Sequence, residues 1–185
     1  ILYEIYKDKD GKLWVSAFDV ESFIIDIRDY IVQKYPLPDL RNQLKANPAI
    51  NSLCKDEDGI FWFSQDRYGL CIYDSRKEKL KHYSQCQGTR NLPFGDVTNI
   101  ARSYNHNWIW ATSYGPTVFG LSQQNMEMKE DVRIELGNVT NNPGLITSLF
   151  EDPQNNLWIG TTTGLFVYRI MSATLESIPE VSGPV

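Results

Sequence analysis

Three aspartates stand at the same place relative to a tryptophan and carry the groups most readily assigned chemistry. Asp8, Asp56 and Asp152 each lie six residues before a tryptophan. Clustered carboxylates can bind divalent cations or act as a general acid and base. Their wide separation in the chain argues against one shared site. An aspartate that opens a tight turn accepts backbone N–H bonds, and we expect that structural role for all three.

The histidines and cysteines do not form a recognisable metal or disulfide framework. The chain has only two histidines, His82 and His106, which argues against a His-rich zinc site. Cys54, Cys71 and Cys86 contain no CxxC pair, and three cysteines cannot all pair with one another. They neither demand disulfides nor exclude an oxidising compartment. We therefore predict no metal site and no cofactor.

Composition narrows the class of protein. The 185 residues carry a formal net charge of −5 and no basic stripe, which argues against nucleic-acid binding. No apolar run approaches the length of about 18 residues typical of a membrane-spanning helix. The chain begins at Ile1 without an initiator methionine, so we expect a piece of a longer protein. Any membrane attachment is then expected through a segment downstream of this one.

Four of the five tryptophans recur at a constant interval of 48 residues: Trp14, Trp62, Trp110 and Trp158. A fixed period of this size is typical of repeat architectures. The residue two places after each tryptophan is small: Ser16, Ser64, Thr112 and Gly160. We expect these small residues to make room beside the indoles.

Each repeat predicts a meander of short strands. First strands are predicted at 2–7, 50–55, 97–102 and 146–151. Three residues before each tryptophan comes a residue that readily adopts a left-handed backbone, as a tight turn requires: Gly11, Gly59, Asn107 and Asn155. The third repeat differs, because Tyr104 replaces the aspartate and the turn is one residue longer. Runs such as "GLCIY" and "KLKHY" predict a third and a fourth strand.

The strand that carries the tryptophan is apolar on both faces, so its sheet must be covered on both sides. Four-stranded sheets of this kind, repeated at constant period, are the blades of a β-propeller. We therefore predict an all-β segment of a larger propeller, with tryptophans packed between successive blades. The predicted blades are approximately 1–49, 50–96, 97–145 and 146–185. Open blade edges pair readily, so we predict a homodimer or a domain-swapped assembly.

The last repeat resembles a known family. Its pattern "I-x-x-L-x-x-D-x-x-x-x-L-W-I-G-T", followed by "G-L-F-V-Y", is similar to the two-component regulator propeller repeat. The resemblance extends over all four units, although the first lacks the glycine before its third strand and the third departs in its turn. It implies the periplasmic sensor region of an inner-membrane hybrid histidine kinase, with oligosaccharides as ligands and a phosphorelay downstream. The kinase motifs are absent from this chain, so we expect no catalytic residues in it.

The loops between second and third strands vary from repeat to repeat, and variable loops on a rigid scaffold often carry recognition. Sugars are bound by aromatic faces and by planar polar groups that read pairs of hydroxyls. Four loop residues have that chemistry: Asp66, Arg67, Tyr68 and Tyr114. Alternatively, the two charged residues form a surface ion pair of little energetic consequence, and the tyrosines plug the blade ends.

The aromatic insertion in the third repeat has two interpretations. Tyr104, His106 and Trp108 form either a docking surface or a cover over a neighbouring blade. The function as a whole also has alternatives. A protein-interaction propeller without a small ligand would show the same repeats. A quinoprotein-type enzyme also carries repeated tryptophan motifs, but with a longer Asp-to-Trp distance, and it needs a complete ring.

Overall fold

The computed structural model describes residues 2–7, 11–17, 23–26, 31–34, 50–56, 58–65, 69–74, 76–83, 96–106 and 108–178. In this part of the chain, sixteen β-strands form four antiparallel sheets of four strands each. The only helical element there is a single 3-10 turn at Leu136–Asn138. The predicted all-β architecture of four repeated four-stranded sheets is therefore confirmed.

Every sheet is a meander, because its strands lie side by side in the order of the sequence. The first sheet contains β1 (Leu2–Lys7), β2 (Lys12–Ala17), β3 (Phe23–Asp26) and β4 (Ile31–Lys34). The second contains β5 (Ile50–Lys55), β6 (Phe61–Gln65), β7 (Gly69–Asp74) and β8 (Lys79–Tyr83). The third contains β9 (Asn99–Arg102), β10 (Ile109–Thr112), β11 (Thr117–Gln124) and β12 (Glu127–Glu135). The fourth contains β13 (Ile146–Glu151), β14 (Asn156–Thr161), β15 (Gly164–Arg169) and β16 (Thr174–Ile178).

The turns between first and second strands have the predicted backbone. Gly11, Gly59 and Asn155 have φ angles of 80°, 79° and 63°, in the left-handed region that glycine and asparagine tolerate best. Asn107 lies outside the described residues. A register shift near the start of the first strand recurs in three sheets, between Leu2 and Glu4, Ile50 and Ser52, and Ile146 and Ser148. The repeats therefore share even a local irregularity of their hydrogen bonding.

The chain divides into two compact units, residues 1–100 and 101–185. In the first unit, Trp14 of β2 packs against Phe61 of β6, with ring centroids 4.6 Å apart. The cluster around them is formed by Leu53, Phe63, Cys71 and Tyr73, with Leu80 at its margin. Trp14 therefore fills the space between the first two sheets, as the sequence predicts. Burying such aromatic rings is a major source of stability, about 1.5–3 kcal/mol for a Phe-sized side chain.

The second unit has its own core between the third and fourth sheets. Trp110 is completely buried there and packs with Leu157, Ile159 and Phe166 of the fourth sheet. Trp110 thus repeats the role of Trp14. All four residues of β10 are buried, whereas buried residues of β14 alternate with half-buried ones. The prediction of strands buried on both faces is therefore right for β10 and wrong for β14.

The small residues after the tryptophans do not all make room for an indole. A Cβ on Gly160 would lie 2.3 Å from the hydroxyl of Ser148 on the neighbouring strand. Space beside Trp110 is instead provided by Gly120 of β11, where a Cβ would lie 3.2 Å from indole Cζ3. The expectation that the small residue two places on accommodates the indole is thus wrong for Gly160, because that residue pairs with Ser148 across the sheet.

Candidate functional site

The recurring turn aspartates join the turn to the tryptophan. One oxygen of Asp56 accepts the backbone N–H of Ile60 at 2.9 Å, and the other accepts the indole N–H of Trp62 at 2.8 Å. Asp152 likewise accepts the backbone N–H of Asn156 at 3.0 Å and the indole N–H of Trp158 at 2.8 Å. The predicted turn role is confirmed for these two aspartates. The spacing of six residues between aspartate and tryptophan also allows the carboxylate to accept the indole N–H.

Their surroundings shift the two carboxyl pKa values in opposite directions. Burial raises the pKa of Asp56, although the bonds from Trp62 and Ile60 act to lower it. At Asp152, desolvation also raises the pKa, but the hydrogen bonds outweigh it and hold the pKa at about 2. Both carboxylates are occupied by structural bonds. Asp8 lies outside the described residues, so its predicted turn role stays a prediction.

The third repeat replaces the missing aspartate with a carboxylate from the next sheet. The indole N–H of Trp110 donates to Oε2 of Glu151 at 2.6 Å. The other oxygen of Glu151 accepts the backbone N–H of Asn105 at 3.3 Å. Glu151 is only 5% exposed and belongs to β13, so this bond ties the third sheet to the fourth. Glu151 was not predicted from the sequence. The sequence feature that points to it is Tyr104, which stands where the other repeats have the aspartate that bonds the indole.

The aromatic insertion is part of the core of the second unit. The rings of His106 and Trp108 stack with centroids 4.2 Å apart, and Trp108 meets Trp110 edge-on at 5.5 Å. Trp108 also packs against the hydrophobic cluster between the third and fourth sheets. Tyr104 is 61% exposed. Of the two interpretations, the covering role therefore describes His106 and Trp108, and the only open aromatic face of the insertion is that of Tyr104.

The loop between β10 and β11 presents the one described residue of the predicted ligand set. Tyr114 is 63% exposed and follows β10, whose residues are all buried. The hydroxyl of Ser113 accepts the backbone N–H of Gly115 at 3.4 Å, which helps to hold the loop. Asp66, Arg67 and Tyr68 lie outside the described residues. Tyr114 thus lies in a loop two residues after a buried strand, and its predicted role in binding stays a prediction.

The loop between β14 and β15 makes hydrogen bonds within the protein. The hydroxyl of Thr162 accepts the backbone N–H of Leu145 at 3.0 Å, and the hydroxyl of Thr163 donates to the carbonyl of Asn142 at 3.2 Å. Thr161 bonds to the carbonyl of Gly164 at 3.0 Å. These hydroxyls fasten the connection that precedes β13. They are consequently engaged within the protein.

Among the described residues, no group of three or more His, Cys, Asp or Glu side chains could hold a metal ion. Cys54 and Cys71 are buried, and desolvation raises the pKa of the Cys71 thiol, which disfavours the nucleophilic thiolate. No helix in the described part of the chain is long and apolar enough to span a bilayer.

Comparison with known proteins identifies the repeat and the fold. The family model described as "Two component regulator propeller" matches residues 142–163. These residues contain the turn anchored by Asp152 and the strand that carries Trp158. Comparison with curated proteins found no match.

Solved structures resemble nearly the whole chain. The extracellular domain of the hybrid two component system BT3049 from B. thetaiotaomicron is 22% identical with a TM-score of 0.69, over 96% of this chain and 23% of that one. The corresponding domain of BT4673 is 20% identical with a TM-score of 0.65, over 97% and 23%. The β-propeller domain of Cps50 (Swd1) from Myceliophteria thermophila is 11% identical with a TM-score of 0.68, over 92% and 56%.

At these identities the structural likeness establishes the fold and nothing further. The chain spans about a quarter of the length of the first two structures, which agrees with its being a segment of a larger propeller. Its sheets, its repeat period and the match over 142–163 agree with one another. The chain therefore has the fold of a β-propeller segment, and its residues 142–163 match the two-component regulator propeller repeat, as the resemblance of the last repeat predicts.

Proposed function

We propose that this chain is part of the extracytoplasmic, ligand-sensing propeller region of a hybrid two-component sensor histidine kinase. The match to the regulator propeller repeat supports this assignment. Its two structural relatives described as extracellular domains of hybrid or one component systems also support it. In this proposal the segment has no catalytic activity of its own. Phosphorylation is carried out by a kinase elsewhere in the protein, on the other side of the membrane.

The ligand is an oligosaccharide that binds at the end of the sheets where Tyr114 is exposed. The observation that carries this proposal is an aromatic ring that is 63% exposed on the loop between β10, which is buried throughout, and β11, which is buried at residues 118–121. An aromatic face of this kind can cover the apolar face of a sugar ring while the phenol hydroxyl makes a hydrogen bond. Asp66, Arg67 and Tyr68 occupy the corresponding sequence positions of the second repeat and are proposed as the sugar-binding groups of that repeat.

Signalling in this proposal is a shift between packing arrangements of protomers. A ligand changes such an equilibrium only as far as it binds one arrangement more tightly than the other. The rigid sheets suit this role, because a contact at a loop can move the blade as one body. In this proposal, a second protomer and a membrane-spanning helix of the longer protein carry the change in packing to the kinase.

The test is a thermal-shift screen against a panel of plant and host oligosaccharides, followed by calorimetric titration of each hit. A true ligand raises the melting temperature in proportion to the logarithm of its concentration. Tyr114→Ala should weaken binding roughly 2- to 12-fold, since an aromatic contact contributes about 0.5–1.5 kcal/mol.

Tyr104→Ala is the matched control for that substitution. Tyr104 is almost equally exposed, at 61%, but it precedes β10 whereas Tyr114 follows it, so the two rings lie at opposite ends of the strand. Binding should be unchanged in the control. No stabilisation by any oligosaccharide would favour the alternative, a propeller that binds only proteins. A hit that is equally weakened by both substitutions would contradict the proposed location.

A further inference from the structure

The third and fourth sheets, which form the second unit, each have one end where the variable loop lies. At this end of the third sheet, Thr117 of β11 pairs with Glu135, the last residue of β12. At this end of the fourth sheet, Thr161 pairs with both Ile146 and Gly164. The connection between the two sheets starts and finishes at these same ends. We call the surface they form the loop end, and it comprises residues 112–117, 135–146 and 161–164.

The connection between the sheets ties the two loops together. The backbone N–H of Leu136, at its start, donates to the carbonyl of Pro116 at 3.0 Å. Further along, the carbonyl of Asn142 accepts the hydroxyl of Thr163 at 3.2 Å. The connection is therefore bonded both to the loop that carries Tyr114 and to the loop of the fourth sheet, and the loop end is one continuous surface.

The loop end is almost free of charged residues. Charged residues make up 22% of the chain, yet Glu135 is the only one among the residues of this surface. Glu135 is already engaged, because it accepts the hydroxyl of Thr117 at 2.7 Å and lies 3.9 Å from the guanidinium of Arg133. Charge is concentrated at the opposite end of the same two sheets, which includes Glu127, Lys129, Glu130, Glu151, Asp152 and Arg169.

The groups that the loop end exposes are neutral and suit the hydroxyls of a sugar. Tyr114 is 63% exposed and Val139 is 41% exposed. Asn138, Asn141 and Asn142 are exposed as well, and within the described part of the chain their side-chain amides make no hydrogen bond. An amide both donates and accepts hydrogen bonds, as a hydroxyl does, whereas a carboxylate only accepts them. This surface can therefore bond to hydroxyls but has no free charge to neutralise a charged sugar.

We propose that the loop end binds an uncharged oligosaccharide, with Tyr114 against a sugar ring and the amides of Asn138 and Asn141 bonded to its hydroxyls. This inference rests on the proposed function and narrows its class of ligand. A carboxylate, sulfate or ammonium group brought against this surface would lose water and gain no charged partner, which is costly. Asp66 and Arg67 of the second repeat carry opposite formal charges, so the groups proposed there add no net charge.

The experiment titrates the chain with two sets of oligosaccharides by calorimetry. The uncharged set contains gluco-, galacto-, manno- and xylo-oligosaccharides, and the charged set contains oligogalacturonides, sulfated galactan fragments and chitosan fragments. The tightest ligand should be uncharged and should bind at least roughly tenfold more tightly than any charged one. Its dissociation constant should change less than about twofold between about 50 and 500 mM NaCl, because salt screens only interactions between charges.

The two sets also separate this inference from the proposed function. A charged oligosaccharide that binds more tightly than every uncharged one would overturn the inference and leave the sensing function standing. Binding by neither set would overturn both, and would favour a propeller that binds only proteins.

Two substitutions test the surface itself. Asn138→Ala and Asn141→Ala should each weaken binding of the tightest ligand roughly 2- to 12-fold, the effect of one lost hydrogen bond. Both side chains are exposed, so the variants should fold normally, which far-UV circular dichroism checks. Gln154→Ala is the matched control, because it removes an exposed amide at the opposite end of the fourth sheet, and it should bind as the wild type does. Wild-type affinity in both asparagine variants would overturn the proposal.

Discussion

The bond between Trp110 and Glu151 makes the sharpest test of how the third and fourth sheets are joined. Glu151→Met keeps a long side chain but removes the acceptor. The indole N–H of Trp110 would then be left without a partner at a residue that is 0% exposed. We expect the free energy of unfolding to fall by about 1–3 kcal/mol, the cost of a buried unsatisfied donor. Glu151→Met also removes the acceptor of the backbone N–H of Asn105. Loss of that bond costs less, because Asn105 is exposed and water can take the place of the carboxylate.

A double-mutant cycle separates this bond from other effects of the substitution. Trp110→Phe removes the donor, so the loss from Glu151→Met should be smaller in that background. The coupling energy is expected at about 1–3 kcal/mol. Glu151→Gln retains an oxygen acceptor and should cost roughly half as much as Glu151→Met, since a bond to a charged group is about twice as strong as a neutral one.

The measurement is urea unfolding at neutral pH, followed by circular dichroism and analysed by linear extrapolation. Glu176→Met is the control, because this exposed glutamate makes only a surface ion pair with Arg169, worth less than about 1 kcal/mol. A coupling energy within about 0.5 kcal/mol of zero would refute the argument that Glu151 replaces the turn aspartate.

Two further predictions concern pH and packing. The pKa of Asp152 is about 2 in the folded protein, against the ordinary aspartate value of 3.8, so its ionised form contributes stability that is present above pH 3.8 and lost as the pH falls towards 2. In acid titrations, the stability gap between wild type and Asp152→Asn should therefore narrow over that range, and a constant gap would contradict it. Gly120→Ala should destabilise the protein by about 1–3 kcal/mol in urea unfolding, because the methyl group would press on Val132 and on buried Trp110. Gly160→Ala should cost less, because the exposed hydroxyl of Ser148 can rotate away.

Much of the local structure could be predicted from the sequence. First strands were expected at 2–7, 50–55 and 146–151, and they lie there in the structure. The strand expected at 97–102 begins two residues later, at Asn99. These predictions succeed because the patterns that indicate strands and turns involve residues that are close together in the chain. The departure falls in the repeat whose turn lacks the aspartate.

The side-chain network was less predictable. The bond between Trp110 and Glu151 spans 41 residues, and no local pattern signals it. The aromatic insertion also had two open interpretations, which differ only in whether Trp108 faces solvent or the cluster between the sheets. In the structure it packs into that cluster. Such choices depend on residues that meet only after the sheets have packed.

The sequence by itself determined the repeat, its four short antiparallel strands and the turn aspartates, because a period of 48 residues places the same local signals in each unit. Only the tertiary structure decided which of these equivalent residues are buried. Asp56 and Asp152 make the same bonds to a turn and an indole, yet their pKa values move in opposite directions. The reason is physical: burial depends on what packs over a residue. The repeated sequence therefore specifies the structure of each blade, whereas the residues packed against a blade determine the burial and the pKa of its side chains.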